Sequence, residues 1–175
     1  TVESLFSLRK VLNATLLDDP RLNEIILHQR RIKSEDEMKE IRAAQAITDK
    51  AFLHMLEIIK PGLCEKDLQL ELDYFMLKNG ATGLAFETIL AAGANGSMPH
   101  AVPSMNVIKE GDFVTMDFGA AHNGYCSDMT RTVAVGKISE EQEKVYNLVL
   151  TAQLAAIDAV KAGVPSNSID AVARD

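Results

Sequence analysis

The segment MDFGAAHNGYCSD, Met116 to Asp128, carries a carboxylate near each end of what reads as two short strands around a tight turn. Upstream, DFVTMDFG supplies Phe113, Val114, Met116 and Phe118 after a turn-like KEGD, and downstream YCSDMTRTVAV is rich in Tyr, Thr and Val. Both compositions favour strand. The Asn-Gly pair in the intervening AAHNG is a strong hairpin signal. If His122 and Asn123 form the turn, opposed residues have numbers summing to 245 and Asp117 faces Asp128 directly. If Asn123 and Gly124 form it, the sum is 247, Asp117 opposes Thr130, and Asp128 lies on the diagonal. Either register leaves the two aspartates on one face, because side chains alternate with a period of two; a bulge would break that parity.

Directly opposed Cβ atoms lie roughly 5 Å apart, where two unit charges repel by about 3 kcal/mol at an effective dielectric of roughly 20. A shared proton or a bound cation would offset that repulsion. The plainer reading is a pair of solvated aspartates near a turn, where Asp is common.

The elements that must position this hairpin are readable on either side of it. SEDEMKEIRAAQAITDKAFLHMLEIIK opens with Ser34 and Glu37 in capping-box spacing and repeats apolar residues at Met38, Ile41, Ala44, Ala51, Met55 and Ile58. That pattern predicts a long helix ended by Pro61-Gly62. A second helix follows, with Leu68, Leu72, Phe75 and Met76 on one face and Gly80 as its stop. ETILAAG reads as a buried strand, and ANGSMPHAVPSMN as a loop with His100 between Pro99 and Pro103. Beyond the hairpin, Ser139 and Gln142 form another capping box, and Val145, Leu148, Ala152, Ala155 and Ala159 carry a helical stripe up to Gly163. A shift of 101 residues lays IIKPG on AVKAG and carries Leu68 onto Ile169, so long helix, Lys-x-Gly stop and second helix recur in the same order. The first copy runs on into strand, His100 loop and hairpin, and the second reads as cut short. SLFSLRKVLNATLLDDPRLNEIILHQRRIK, ahead of the first copy, reads as a helix, a short strand and a connecting helix, and the opening TVESLF without Met reads as a processed or shortened start.

Composition bounds the function. At 175 residues and 47% hydrophobic the chain can bury a core, and a net charge of −7 leaves no basic stripe for nucleic acid. No apolar run is long enough to span a bilayer, and the first residues show no signal-peptide pattern. Cys64 and Cys126 read as reduced thiols of a cytoplasmic protein.

PHAVPS, then EGDFVTMDFGA, then GYCSDMTRTVAVG, together with RRIKSEDEMKEIRAA at the start of the first long helix, resemble the pita-bread metallopeptidases, and within them the Xaa-Pro aminopeptidase and Xaa-Pro dipeptidase (prolidase) branch. The resemblance runs from about Arg31 to Asp175. It implies an α/β (α+β) pita-bread fold of pseudo-twofold halves, the first complete and the second truncated. Residues 1–30 would be the remnant of an N-terminal domain plus linker helix, and residues 31–175 the N-terminal portion of the catalytic domain. In that family five protein ligands hold two divalent metals, and the match assigns Asp117 to one metal and Asp128 as the bridge between both. Oxygen-rich coordination favours Mn²⁺, with Co²⁺ or Zn²⁺ as alternatives. The implied reaction is attack of a metal-bridging hydroxide on the carbonyl preceding proline. His100 matches the family histidine that contacts substrate near the scissile bond, a catalytic and substrate-binding role; without the resemblance it reads as a loop histidine.

The remaining ligands, one His and two Glu, have no counterpart here. No histidine follows His122, and Glu140, Glu141 and Glu143 open a helix, where they suit its dipole. The chain as it stands is therefore expected to lack activity, the function belonging to a longer parent. That parent would take proline-containing peptides or dipeptides, as a homodimer, with no nucleic-acid or membrane partner. A methionine aminopeptidase-like peptidase, a non-catalytic binding protein and a creatinase-like hydrolase are the alternatives on this fold. Among other residues, His54 reads as packed or half exposed, His122 as solvated in its turn, His28 as surface, and Arg131 as orienting Asp128 or pairing on the sheet.

Overall fold

The computed structural model describes residues 20–175, together with Ser7 and Val11. The first helix and short strand expected ahead of the connecting helix lie outside the described residues. The chain divides into two compact units, residues 1–39 and 40–175.

In the first unit, helix α1 (Arg21–Arg31) is exposed throughout and carries His28 in its last turn. The capping box forms as its sequence demands: the Ser34 N–H donates to Glu37 Oε2 at 2.7 Å, and the Glu37 N–H donates to Ser34 Oγ at 3.2 Å. It starts helix α2 (Glu35–Ile58).

In the second unit, α2 buries Ala44, Ile47, Thr48, Ala51 and Met55, and helix α3 (Glu65–Lys78) buries Leu68, Leu72 and Met76. Six short strands receive them among the described residues: β1 (Gly83–Leu84), β2 (Ile89–Ala92), β3 (Phe113–Phe118), β4 (Ala120–His122), β5 (Tyr125–Cys126) and β6 (Met129–Ala134). They form two antiparallel sheets, ordered β2-β3-β6 and β1-β4-β5. Strand β3 alternates strictly, with Val114, Met116 and Phe118 buried in the core and Phe113, Thr115 and Asp117 half-buried on the other face. Helix α4 (Glu140–Ala159) starts at the expected Ser139–Gln142 capping box, and helix α5 (Ser166–Arg174) follows. The offset of 101 recurs in the elements, since α2 and α4 end at Ile58 and Ala159, and α3 and α5 begin at Glu65 and Ser166.

The hairpin takes the register with Asn123 and Gly124 as its turn. Both have positive φ, +47° and +85°, which a tight two-residue turn between twisted strands requires. Asp117 accordingly pairs with Thr130, and His122 with Tyr125. The continuous strands expected from sequence are instead divided at Gly119 and at Ser127-Asp128. Two hydrogen bonds divide them: the Ala120 N–H donates to the Ser127 side-chain Oγ at 2.9 Å, and Gly119 O accepts from the Ala85 N–H at 2.9 Å. The outer half of the hairpin thus takes β1 as its neighbour while the inner half takes β2.

Candidate metal and substrate cleft

Three sequence-predicted residues come together. His100, Asp117 and Asp128 line one cleft of about 420 Å³, with Phe86 to Ile89 and Ala101 to Pro103 forming the rest of its wall. Asp117 reaches it from the central strand of its sheet, flanked by Ile89 on one side and Thr130 on the other. Asp128 enters from the break between β5 and β6 and is exposed, as is His100 on its loop.

Asp117 Oδ1 is buried and accepts no hydrogen bond. A buried carboxylate oxygen without a donor costs on the order of 1–3 kcal/mol, which a bound cation would remove. With a second carboxylate in the same cleft, the donor set suits a hard divalent ion. It is an incomplete shell: among the described residues no group of three or more His, Cys, Asp or Glu side chains is placed to hold a metal.

The cleft wall depends on residues that carry no motif. Thr88 is buried and its hydroxyl donates to Asp73 Oδ1 at 2.6 Å, while Gln69 Nε2 donates to Asp73 Oδ2, so α3 holds the Phe86–Ile89 stretch from behind. Gly119 admits Phe86, since a Cβ there would overlap Ser127 O and lie 2.8 Å from Phe86 Cε1. Glu65, at the start of α3, is fully buried beneath the His100 loop. Its sequence position reads as an ordinary acidic first-turn residue, so only the fold exposes it.

Other residues stand elsewhere. Arg131 pairs with Met116, on the core side of the sheet, and lies 6.0 Å over the Phe52 ring while Nη1 donates to Thr130 O. The alternation that puts Asp117 in the cleft takes Arg131 away from it. His122 is not simply solvated: its Nδ1 lies 2.8 Å from Glu40 Oε2, and Asn123 Nδ2 donates to the same oxygen at 3.0 Å. His54 is half-buried, stacked on Phe75 at 4.3 Å and 2.7 Å from Glu71 Oε1. Both cysteines are free thiols, Cys64 buried and Cys126 exposed.

The cleft thus brings two carboxylates and a histidine together on a helix-backed antiparallel hairpin, and comparison with known proteins supplies the family. The profile of metallopeptidase family M24 matches residues 39–175. The chain belongs to metallopeptidase family M24. It is 43% identical over 146 residues to the uncharacterized peptidase YqhT of Bacillus subtilis, covering 83% of this chain and 41% of that protein. It is 38% identical over 162 residues to the Xaa-Pro dipeptidase of Pyrococcus horikoshii, covering 93% of this chain and 46% of that protein. Among solved structures, the Xaa-Pro dipeptidase from Bacillus anthracis superposes with a TM-score of 0.92 at 41% identity, over 100% of this chain and 48% of that one. The chain thus has the pita-bread fold expected from sequence and spans less than half the length of these relatives. No described helix is long and apolar enough to cross a membrane.

Proposed function

We propose that the protein is a divalent-metal exopeptidase that hydrolyses Xaa-Pro bonds. The observation that carries this reading is the buried, donorless oxygen of Asp117 in a cleft shared with Asp128 and His100, in a chain whose relatives include Xaa-Pro dipeptidases. Asp117 and Asp128 hold the cations, and their oxygen ligands favour Mn²⁺, with Co²⁺ and Zn²⁺ as alternatives. Cations bound there supply Lewis acidity toward a carbonyl oxygen and acidify water. His100 contacts the substrate beside the scissile bond, with a ring that can donate or accept a hydrogen bond. Phe86, Ile89 and Val102 give the apolar wall against which substrate side chains pack.

The test is hydrolysis by the full-length protein with Mn²⁺, across Xaa-Pro dipeptides, longer peptides with proline second, and matched Xaa-Ala and Met-Ala peptides. Selective release of the residue before proline is expected, and the 175-residue chain alone is expected to be inactive. Equal cleavage of the Ala and Pro series, or preference for Met-Ala, would overturn the assignment.

A further inference from the structure

An acidic residue in the first turn of a helix ordinarily sits in water and gains from the helix dipole. Glu65 does not; it is fully buried. A buried carboxylate persists only where hydrogen bonds replace its water. Its Oε1 accepts from the Ala92 N–H at 2.8 Å, Asn106 Nδ2 at 2.9 Å and Asn95 Nδ2 at 3.0 Å. Its Oε2 accepts from Ser104 Oγ at 2.7 Å and the Ser104 N–H at 3.1 Å, with Asn95 Nδ2 also near at 3.3 Å.

These donors all belong to one stretch, and they come from both of its ends. Ala92 closes β2 and Asn95 sits in the 3-10 turn Gly93–Ser97; Ser104 and Asn106 lie after His100. The start of α3 completes the closure, with the Glu65 N–H donating to Asn106 O at 3.0 Å and the Lys66 N–H to Ser104 O at 2.9 Å. Burial pushes the Glu65 carboxyl up, but Asn106, Ala92, Ser104 and Asn95 together outweigh it and hold the group below its ordinary value. Because each oxygen accepts from more than one N–H or O–H, an amide would turn its own NH₂ onto donors. The His100 ring has no hydrogen-bond partner among the described residues, so its place in the cleft is set by the loop backbone.

We propose that Glu65 is a positioning residue: by gathering both ends of the 92–106 stretch onto one ionised carboxylate, it sets the reach of His100 into the Asp117–Asp128 cleft. Its consequence for turnover rests on the Xaa-Pro reading above, whereas its hold on the loop does not.

The experiment compares the full-length protein with Glu65→Gln, His100→Ala and the double variant, by amide hydrogen exchange and by kcat/KM on an Xaa-Pro peptide. In Glu65→Gln, exchange of amides in residues 93–106 is expected to accelerate by about tenfold or more while those of β3 and β6 stay protected. On the peptide, kcat/KM should fall by about tenfold in Glu65→Gln and no further when the same change is made in His100→Ala. Unchanged loop exchange, acceleration spread evenly over β3 and β6, or multiplicative losses in the double variant would each overturn the proposal. If His100→Ala alone leaves kcat/KM intact, the role given to His100 falls and exchange alone decides whether Glu65 holds the loop. Should Glu65→Gln fail to fold, Asn106→Ala, which removes one donor and leaves the carboxylate, must give the same local pattern at smaller size.

Discussion

Asp117 and Glu65 are two half-buried or buried carboxylates treated in opposite ways. Glu65 is surrounded by donors, whereas one oxygen of Asp117 has none. The cost of that orphan oxygen predicts that Asp117→Asn, in metal-free full-length protein, leaves stability unchanged or raises it by about 1 kcal/mol. Mn²⁺ is expected to raise the Tm of the unsubstituted protein and to leave that of the variant unchanged, a contrast that thermal melts with and without metal would reveal. For Glu65 the sign runs with pH. A carboxyl held below its ordinary 4.5 adds stability above that pH, and the contribution disappears as pH falls through the lower folded value. Acid titration followed by loop exchange should therefore show opening below about pH 4.5 that Glu65→Gln, already open, does not show.

At the scale of the elements, the hairpin shows what a sequence can and cannot say. Asn123-Gly124 announced a turn, and positive φ at both residues selects between the two registers that the pattern allowed. Gly124→Ala puts a Cβ in the left-handed region, for a loss of about 1 kcal/mol in urea unfolding. Gly119→Ala is more severe, because a Cβ there meets the Ser127 carbonyl, Phe86 and Ala85 together; a loss of roughly 3 kcal/mol or more is expected by the same measurement. The two capping boxes and the helix stripes were legible because each is written within a turn or two of one helix. The change of sheet partner at Gly119 was not, since it depends on Ala85 and Ser127 arriving from elsewhere in the chain. The pairing of His122 with Glu40, 82 residues away, escaped for the same reason.

Over the whole molecule, the repeat and the paired aspartates were the signals with long reach. The offset of 101 residues appears in helix ends, and Asp117 and Asp128 line one cleft, although Asp128 reaches it from the break between β5 and β6 rather than by the alternation of a continuous strand. Burial did not follow the pattern everywhere: Val145 and Leu148 of the α4 stripe are exposed, as are Leu154 and Ile157 outside it. The relatives are about twice this length, so in a protein of their length this stripe is the expected seat of further chain. Leu148→Glu should shift the stability of the 175-residue chain by less than about 0.5 kcal/mol, yet destabilise a protein of full length by about 2 kcal/mol or more, as paired denaturant titrations would show.

The central claim is that Asp117 and Asp128 hold divalent cations in this cleft. The most direct measurement is electron paramagnetic resonance of Mn²⁺ titrated into the full-length protein and its Asp117→Asn and Asp128→Asn variants, since free aqueous Mn²⁺ gives a sharp signal that broadens on binding. The parent should suppress the free-ion signal up to a defined equivalence point, and both variants should weaken that suppression by about tenfold or more in affinity. Indistinguishable titrations for all three proteins would place the metal elsewhere and contradict the account.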